Sequence, residues 1–216
     1  MLDRPRGVGI ISAGLGNVGS VSRMVERAGG IPNIITSSSR DRRERLLILP
    51  GVGHYDAGMD ALSRAGFNRE FFLQHVEEGG YILGICLGMQ LLCRESEEGE
   101  RPGLGLISAT VKKFRPRGPE GVEVKIPHMG WNSVTVNNQG SPFSASDETV
   151  RFYFVHSFYV QPDEGSNICC ATASHGITFC AAFAANRIYG VQFHPEKSHR
   201  YGLSLLSNII SVVYDA

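Results

Sequence analysis

The 216-residue chain has no excess of charge of either sign, because 21 lysines and arginines balance 21 aspartates and glutamates. It therefore lacks the basic field with which proteins attract nucleic acid or an anionic membrane surface. It also lacks an apolar run long enough to span a bilayer. Residues 1–6 lead into a strand-like run rather than into the apolar core of a secretory signal. We expect no nucleic-acid partner and no membrane association.

Cysteine is scarce, and its spacing excludes the common thiol sites. Two of the five cysteines, Cys169 and Cys170, are adjacent, and none has the C-x-x-C spacing of a zinc or redox site. No cluster of His, Cys and Asp has ligand spacing, so we expect neither a metal nor an organic cofactor. The odd number of cysteines fits a reducing, cytoplasmic location. A chain of this length is expected to form a single domain over residues 1–216.

The most informative segment that is present is the run Gly84-Ile85-Cys86-Leu87-Gly88. It follows the apolar residues 81–83 and precedes a helix-prone stretch. A Cys between glycines, where a strand turns sharply into a helix, is the thiol version of a nucleophile elbow. The pattern predicts Cys86 as a nucleophile at the start of a helix, whose macrodipole would favour the thiolate.

A matching base lies in the run Phe193-His194-Pro195-Glu196, just after a strand-like segment. His194 can take the thiol proton and later deliver it to a leaving amine. Glu196 is two residues away, where it can accept from Nδ1–H and orient the ring. We therefore predict a catalytic triad of Cys86, His194 and Glu196.

A third segment, Pro50-Gly51-Val52-Gly53, ends the apolar run 46–49. Its glycines allow backbone N–H groups to face one point, as in the oxyanion hole of acyl transfer. The N–H of Leu87, the residue after the nucleophile, would be the second donor. Taken alone, the segment is more typical of an ordinary strand–turn–helix loop, whereas beside the Cys86 elbow we favour the oxyanion hole.

The order of elements predicts an α/β fold. Buried strands at 7–11, 31–36, 46–49 and 81–85 alternate with helices at 18–28 and 67–78, a pattern typical of a doubly wound, mostly parallel sheet with helices on both faces. The second half predicts extra, antiparallel β elements at 109–114, 122–126, 133–136, 152–155, 168–173, 178–183 and 187–192. A helix at 202–213 closes the chain.

The chain resembles the class I, triad-type glutamine amidotransferases. The Cys elbow and the His-Pro-Glu segment carry this resemblance, together with Gly14-Leu15-Gly16-Asn17, Pro127-His128-Met129-Gly130-Trp131-Asn132 and Phe154-Val155-His156-Ser157. The last two segments are similar to those of the glutaminase subunit of imidazole glycerol phosphate synthase. The resemblance spans most of the chain and implies an enzyme that hydrolyses L-glutamine through a Cys86 thioester.

The resemblance also implies the remaining site residues. Gln90 and Glu98 match positions that hold the substrate glutamine, although Glu98 has acidic neighbours. Val52 matches the residue whose peptide must turn to complete the oxyanion hole. The other positions that match glutamine contacts are Gly53 and the main chain of His156, Ser157 and Phe158.

The implied partner is a cyclase subunit with a (β/α)₈ barrel, which would form a heterodimer and use the ammonia to make imidazole glycerol phosphate and AICAR ribonucleotide. Asn17 and Trp131 resemble residues at that interface. Two departures from the family pattern, at Ser12-Ala13 and at residues 112–121, concern the identity of the partner rather than the triad.

Four alternatives are open at this stage. Residues 14–19 match the dinucleotide motif G-x-G-x-x-G, but the second strand ends without the acid of an NAD site and would suit an NADP enzyme instead. The elbow alone also fits a cysteine hydrolase or peptidase. A paralogous amidotransferase that supplies another acceptor enzyme would share every motif, and a non-catalytic subunit would not need the complete triad.

Overall fold

The computed structural model describes residues 6–39, 44–115, 117, 123–137, 143 and 150–215. Strands and helices alternate in the first half, in the order β1 (Gly7–Ile11), α1 (Val18–Arg27), β2 (Ile31–Ile35), β3 (Leu46–Gly51), α2 (Tyr55–Arg64), α3 (Arg69–Glu77), β4 (Tyr81–Cys86) and α4 (Leu87–Leu91). The second half is mainly β and contains β5 (Ala109–Lys113), β6 (His128–Val136), β7 (Val150–His156), β8 (Phe158–Pro162), β9 (Cys169–Ser174), β10 (Thr178–Ala185), β11 (Ile188–Val191), a 3₁₀ turn (Pro195–Lys197) and α5 (His199–Tyr214).

Within the described ranges the strands form one sheet of 11 strands, whose main path runs β2-β1-β3-β4-β11-β10-β9-β6-β7. Strands β2, β1, β3, β4 and β11 are mutually parallel. From β10 onward the pairings are antiparallel, and β8 carries β5 as a branch beside β10. The predicted α/β class, with antiparallel elements in the second half, is confirmed.

Two hydrophobic clusters cover the two faces of this sheet. Along β3 the side chains alternate between them, since Leu46 and Ile48 join one cluster and Leu47 and Leu49 the other. This period of two is the pleat of a strand that is buried on both faces. Helices α1 and α5 cover the first face, and α2, α3 and α4 cover the second.

The order of strands places the predicted site at one edge of the sheet. Strand β4 lies between β3 and β11, with Gly51 opposite Cys86 and Val191 opposite Ile85. The carboxyl ends of these three parallel strands therefore meet, and ligands of open α/β sheets bind at such ends. The end of β3 carries the start of the predicted oxyanion loop, the last residue of β4 is the predicted nucleophile, and the segment after β11 carries the predicted base.

Two elements were missed from the sequence, α2 and β8. Gly58 lies inside α2 and weakens its helical pattern, but a Cβ at this position would lie 3.2 Å from both δ carbons of Leu91. The glycine thus lets α2 approach α4 closely. Strand β8 begins at Phe158 and is separated from the end of β7 by one residue, a break too short for a turn signal.

One predicted strand is not formed, and another begins earlier than predicted. The strand predicted at 122–126 is wrong where it is described, because Glu123 forms only an isolated bridge with Arg117 and residues 124–126 join no strand. Residue 122 lies outside the described residues, as do 116 and 118–121 of the departure at 112–121. Strand β6 begins at His128 rather than at 133, because its first residues pair with β7.

Candidate active site

Cys86 lies at a strained turn between β4 and α4. Its φ is 53° and its ψ is −110°, a conformation that residues with a side chain rarely adopt. A Cβ at Gly84 would lie 2.7 Å from the backbone of Met89, and one at Gly88 would overlap the carbonyl oxygen of Leu49. Both glycines are therefore required by the close packing of this turn.

The helix that follows Cys86 is short. Helix α4 has 5 residues, Leu87–Leu91, and all of them are buried. So short a helix has a weak macrodipole. The thiol of Cys86 instead has two polar neighbours within hydrogen-bonding distance of sulfur. Gln192 Nε2 lies 3.8 Å from Sγ, and the carbonyl oxygen of Val155 lies 3.9 Å from it.

His194 and Glu196 form a buried pair beyond the end of β11. Nδ1 of His194 lies 2.7 Å from Oε1 of Glu196, and the two side chains are 1% and 6% exposed. The other ring nitrogen, Nε2, makes no hydrogen bond within the described residues. Burial alone would lower the pKa of His194, but the nearby thiol of Cys86 and the carboxylate of Glu196 outweigh burial and raise the pKa to about 9. The ring is thus oriented by Glu196 and leaves Nε2 unbonded.

Ser198 anchors this base to β7, a role that the sequence did not suggest. Its hydroxyl donates to the carbonyl oxygen of His194 at 2.6 Å and accepts from the N–H of Tyr153 at 3.0 Å. The N–H of His194 in turn donates to the carbonyl of Tyr153 at 2.9 Å. Since Ser198 is fully buried, these bonds fix the backbone of His194 without competition from water.

A cavity of about 320 Å³ opens beside Cys86. Its size is within the usual range for a small-molecule site. Predicted residues that line it are Val52, Gly53, Cys86, Leu87, Gln90, Glu98, His156, Ser157 and Phe158, and the sequence did not single out two further lining residues, Pro127 and Val155. The structure therefore brings the elbow, the glycine loop and the predicted glutamine contacts to one cavity.

Gln90 is oriented by two acceptors inside the protein. Its Nε2 donates to the carbonyl oxygen of Phe158 and to Oε1 of Gln192, both at 3.0 Å. These bonds use both N–H groups of the amide and leave its carbonyl oxygen to accept. Gln192 is completely buried, and it links Gln90 to Cys86 through its own Nε2. The sequence pattern assigned no role to Gln192.

Glu98 is distinguished from the acidic residues around it. It lines the cavity, and its Oε2 accepts from the N–H of Tyr55 at 2.9 Å. Burial raises the pKa of Glu98, and the bond from Tyr55 opposes this rise. Glu97 instead faces Lys112 and Arg115 on the outer side of β5. Glu98 is thus the acidic residue of this run that lines the cavity.

The glycine loop packs directly against the elbow. A Cβ at Gly51 would lie 2.7 Å from the N–H nitrogen of Gly88, and Gly53 has a φ of 106° that favours glycine. Val52 between them is 49% exposed, which is unusual for a valine at a sheet edge. A Cβ at Gly16 would lie 3.1 Å from Gly51 N, so the glycines that follow β1 form a tight turn against β3.

The two predicted interface residues lie on separate elements. Asn17 is the N-cap of α1, where its Oδ1 accepts from the N–H of Ser20 at 3.1 Å. Trp131 is 40% exposed on β6 and stacks on His199 with ring centres 5.6 Å apart. Met129, two residues earlier, is 62% exposed. Strand β6 therefore presents two large apolar side chains at the surface.

Two further properties bear on the class of site. Within the described ranges, no group of three or more His, Cys, Asp and Glu side chains is placed to hold a metal ion. Among the same residues, no helix has the length and apolarity needed to cross a membrane.

Comparison with known proteins agrees with this geometry. The family model for glutamine amidotransferase class-I matches residues 10–211. The chain is 42% identical over 203 residues to imidazole glycerol phosphate synthase subunit HisH 2 of Methanococcus maripaludis, with 94% of this chain and 98% of that protein covered. It is 40% identical over 204 residues to subunit HisH of Bacillus subtilis, with 93% of each covered.

Solved structures share the fold at lower identity. PurLQS from Thermotoga maritima matches with a TM-score of 0.73 at 18% identity, over 96% of this chain and 99% of that one. A glutamine amidotransferase from the same organism matches with a TM-score of 0.67 at 14% identity, over 97% and 98%. The family model and the relatives, which are similar over nearly their whole length, show that the chain belongs to the class I glutamine amidotransferases and, within them, to the HisH subunits of imidazole glycerol phosphate synthase.

Proposed function

We propose that this chain hydrolyses L-glutamine to glutamate and ammonia and passes the ammonia to a cyclase subunit. The observation that carries the proposal is the position of Cys86, which lines the same cavity as Gln90 and Glu98. The buried pair of His194 and Glu196 is close enough for the thiol to raise the pKa of His194. A nucleophile, an oriented base and polar groups around one small cavity are the parts that acyl transfer requires.

In the first step the Cys86 thiolate attacks the side-chain amide carbon of glutamine. The protonated ring of His194 gives its Nε2 proton to the departing ammonia, and a γ-glutamyl thioester forms. In the second step His194 takes a proton from water, which attacks the thioester and releases glutamate and the thiolate. Glu196 accepts from Nδ1–H throughout and so keeps Nε2 directed at the reacting atoms.

The oxyanion of each tetrahedral intermediate requires two N–H donors. We assign one to Leu87, directly after the nucleophile, and the other to the Gly51–Val52 peptide. This peptide would have to turn before the hole is complete, and the exposed Val52 side chain leaves room for such a turn. A partner that favours the turned form would activate the enzyme.

Glutamine would be held at its amino-acid end by groups on the cavity wall. The Glu98 carboxylate can accept from the substrate ammonium, and the Gln90 carbonyl oxygen is left to accept because both its N–H groups are used. Gly53 and the main chain of residues 156–158 supply the remaining contacts. This set selects a small amino acid with a terminal amide rather than a peptide.

We assign the acceptor of the ammonia to a (β/α)₈-barrel cyclase that binds this chain as a heterodimer in the cytoplasm. The names of the relatives, subunits of imidazole glycerol phosphate synthase, support a synthase of which this chain is one subunit. Exposed Trp131 and Met129 on β6, and Asn17 at the start of α1, are the proposed contacts. The five cysteines are all free thiols, as is usual in a reducing compartment.

The nucleophile is tested with Cys86→Ala and with a diazoketone analogue of glutamine. We expect the substitution to abolish glutamate release while the melting temperature changes little, and we expect the analogue to label one residue, Cys86, by peptide mass spectrometry. Cys169→Ala is the matched control and should keep both activity and labelling. Activity above a tenth of wild type in Cys86→Ala would contradict the assignment.

The partner is tested by affinity capture from native lysate followed by mass spectrometry. We expect a barrel cyclase, and adding it with its ligand should raise glutaminase activity strongly. Capture of a different acceptor enzyme would instead identify a paralogous amidotransferase. Fast hydrolysis by the isolated chain would contradict the gating by the Gly51–Val52 peptide.

A further inference from the structure

A buried pair of histidines, one of which lines the glutamine cavity, has side chains with no role in the chemistry above. His128 is the first residue of β6 and His156 is the last residue of β7, and the two face each other in the ladder. Nδ1 of His128 lies 2.8 Å from Nε2 of His156. The two residues are 5% and 6% exposed, so each ring nitrogen needs a partner within the protein.

The first end of this pair is determined by Asn132. Its Oδ1 accepts from the N–H of Ser133 at 2.8 Å, and its Nδ2 donates to the carbonyl oxygen of Ser174 at 2.9 Å. These two bonds fix which way the amide points. The second hydrogen of Nδ2 is therefore donated to Nε2 of His128 at 3.1 Å. A neutral imidazole that accepts at Nε2 carries its proton on Nδ1.

The second end is determined by the carbonyl oxygen of Phe158. This oxygen can only accept, and Nδ1 of His156 lies 2.7 Å from it. His156 therefore carries its proton on Nδ1 and accepts at Nε2. The two ends require the same direction, in which Asn132 donates to His128, His128 to His156, and His156 to Phe158.

Both rings must be neutral in this arrangement, because an added proton would place two donors face to face. Burial lowers the pKa of His128 to about 4 and that of His156 to about 3. The other titratable groups that act on the pair are cationic when protonated. They are His175, which stacks on His128 with centres 4.3 Å apart, and His194 near His156. Neither favours a charged pair.

This chain of hydrogen bonds ends on the carbonyl oxygen of Phe158, which also orients a residue of the cavity wall. The carbonyl oxygen of Phe158 accepts from Nε2 of Gln90 at 3.0 Å as well as from His156. Phe158 lines the cavity together with Ser157. At its other end the chain of hydrogen bonds begins on β6, which presents Met129 and Trp131 at the surface.

We propose that His128 and His156 are positioning residues. They form a proton-ordered linkage, a chain of hydrogen bonds in which every donor points in one direction. This linkage holds the 156–158 wall of the cavity in a fixed position relative to the exposed strand β6. The effect on glutamine rests on the proposed glutaminase function, whereas the order of the protons does not. A shift of β6 on binding a partner would reach the glutamine contacts through these three hydrogen bonds.

The proton order is tested by long-range ¹H–¹⁵N correlation spectra of the whole chain. We expect both rings to be neutral with the proton on Nδ1 at pH 7, and to remain neutral at pH 5, where an unperturbed histidine is protonated. Asn132→Asp replaces the donor by a carboxylate, which should convert His128 to the imidazolium at pH 7. A proton on Nε2 of either ring in the wild type, or titration above pH 6, overturns the proposal.

The effect on glutamine is tested by calorimetric binding in the Cys86→Ala background, so that no substrate is consumed. His156→Asn places an amide N–H near the position of Nδ1 and should keep the dissociation constant within about threefold, whereas His156→Leu removes the donor and should weaken binding by about tenfold. Thr135→Ala, which changes an exposed residue of β6, is the control and should leave the dissociation constant unchanged.

Equal losses of glutamine affinity in His156→Asn and His156→Leu would overturn the positioning role. That role requires a hydrogen-bond donor at this position, so the Asn variant, which supplies one, should bind more tightly than the Leu variant. If Cys86→Ala itself binds no glutamine, the proposed function fails, and the spectra still decide whether the linkage is ordered. Circular dichroism and urea unfolding of each variant separate a loss of fold from a loss of the bond.

Discussion

Nε2 of Gln192 donates a hydrogen bond to Sγ of Cys86 across 3.8 Å. The same side chain accepts from Gln90 through Oε1 at 3.0 Å. Two carboxamides thus join the proposed nucleophile to the wall of the glutamine cavity. The contact would stabilise a negative charge on sulfur, since hydrogen bonds to charged groups are stronger than neutral ones.

Replacing Gln192 should therefore slow catalysis more than it weakens the fold. In Gln192→Leu the thiolate loses a donor and Gln90 loses an acceptor, and we expect kcat/KM for glutamine to fall about ten- to a hundredfold. Steady-state glutamate release with urea unfolding as the control measures this. An unchanged kcat/KM would show that the contact has no effect on sulfur.

The charge state of His194 should depend on Cys86. Burial lowers the pKa of His194, and the thiol and Glu196 together raise it to about 9. Cys86→Ala removes one of these two raising groups, so we expect the pKa of His194 to fall in an NMR titration. Cys169→Ala leaves the site intact and should keep the wild-type titration. Identical curves for Cys86→Ala and wild type would contradict the contact between sulfur and ring.

Stability should fall in acid partly because of the histidine pair. The folded pKa of His156, about 3, lies below the unfolded value of about 6.5. The unfolded state therefore binds more protons between these values, so this contribution to stability is present above about pH 6.5 and is lost as the pH falls toward 3. We expect urea midpoints of His156→Asn to depend less on pH between 4 and 6.5 than those of wild type. Parallel curves would count against a neutral buried His156.

The opposite sign is expected for His194. Its folded pKa of about 9 lies above the unfolded value of about 6.5, so its contribution is fully present below pH 6.5 and is lost as the pH rises to 9. Unfolding by urea between pH 6.5 and 9.5 should therefore show a decline that is smaller in His194→Gln. An equal decline in both proteins would refute the raised pKa.

Ser198 should matter for both stability and rate. Ser198→Ala leaves the buried N–H of Tyr153 without its acceptor, and we expect a loss of about 1–3 kcal/mol in the free energy of unfolding. The backbone of His194 also loses a donor, so kcat should fall. Ser211→Ala, on the exposed side of α5, is the matched control. Activity and stability equal to this control would rule out the anchoring role.

Local signals account for what could be predicted. Glycines on both sides of Cys86 indicate a crowded turn, and the structure has that turn with a positive φ at the cysteine. The spacing of His194 and Glu196 predicts their contact, because two residues in a short turn cannot lie far apart. Alternating and continuous apolar runs predict most of the strands for the same reason. Each run lies within the few consecutive residues that form the strand, so no distant contact is needed to recognise it.

Contacts between residues that are far apart in the chain could not be predicted from local patterns. Gln90 and Gln192 are 102 residues apart, and His128 and His156 are 28 apart. Spacing in the chain says nothing about which antiparallel strands pair or in which register. Glu98 could not be separated from its acidic neighbours, because only the packing of Tyr55 against this segment directs its carboxylate to the cavity.

The amino-acid sequence by itself determined the chemistry of this protein, because a thiol between glycines, a separate His-Pro-Glu run and a glycine loop can each be recognised within a few residues. The tertiary structure alone decided how those parts are connected. Register between β6 and β7, and the meeting of β3, β4 and β11 at one edge, set the hydrogen bonds of Gln192 and of the two histidines, since such bonds depend on contacts that form only when the sheet is complete.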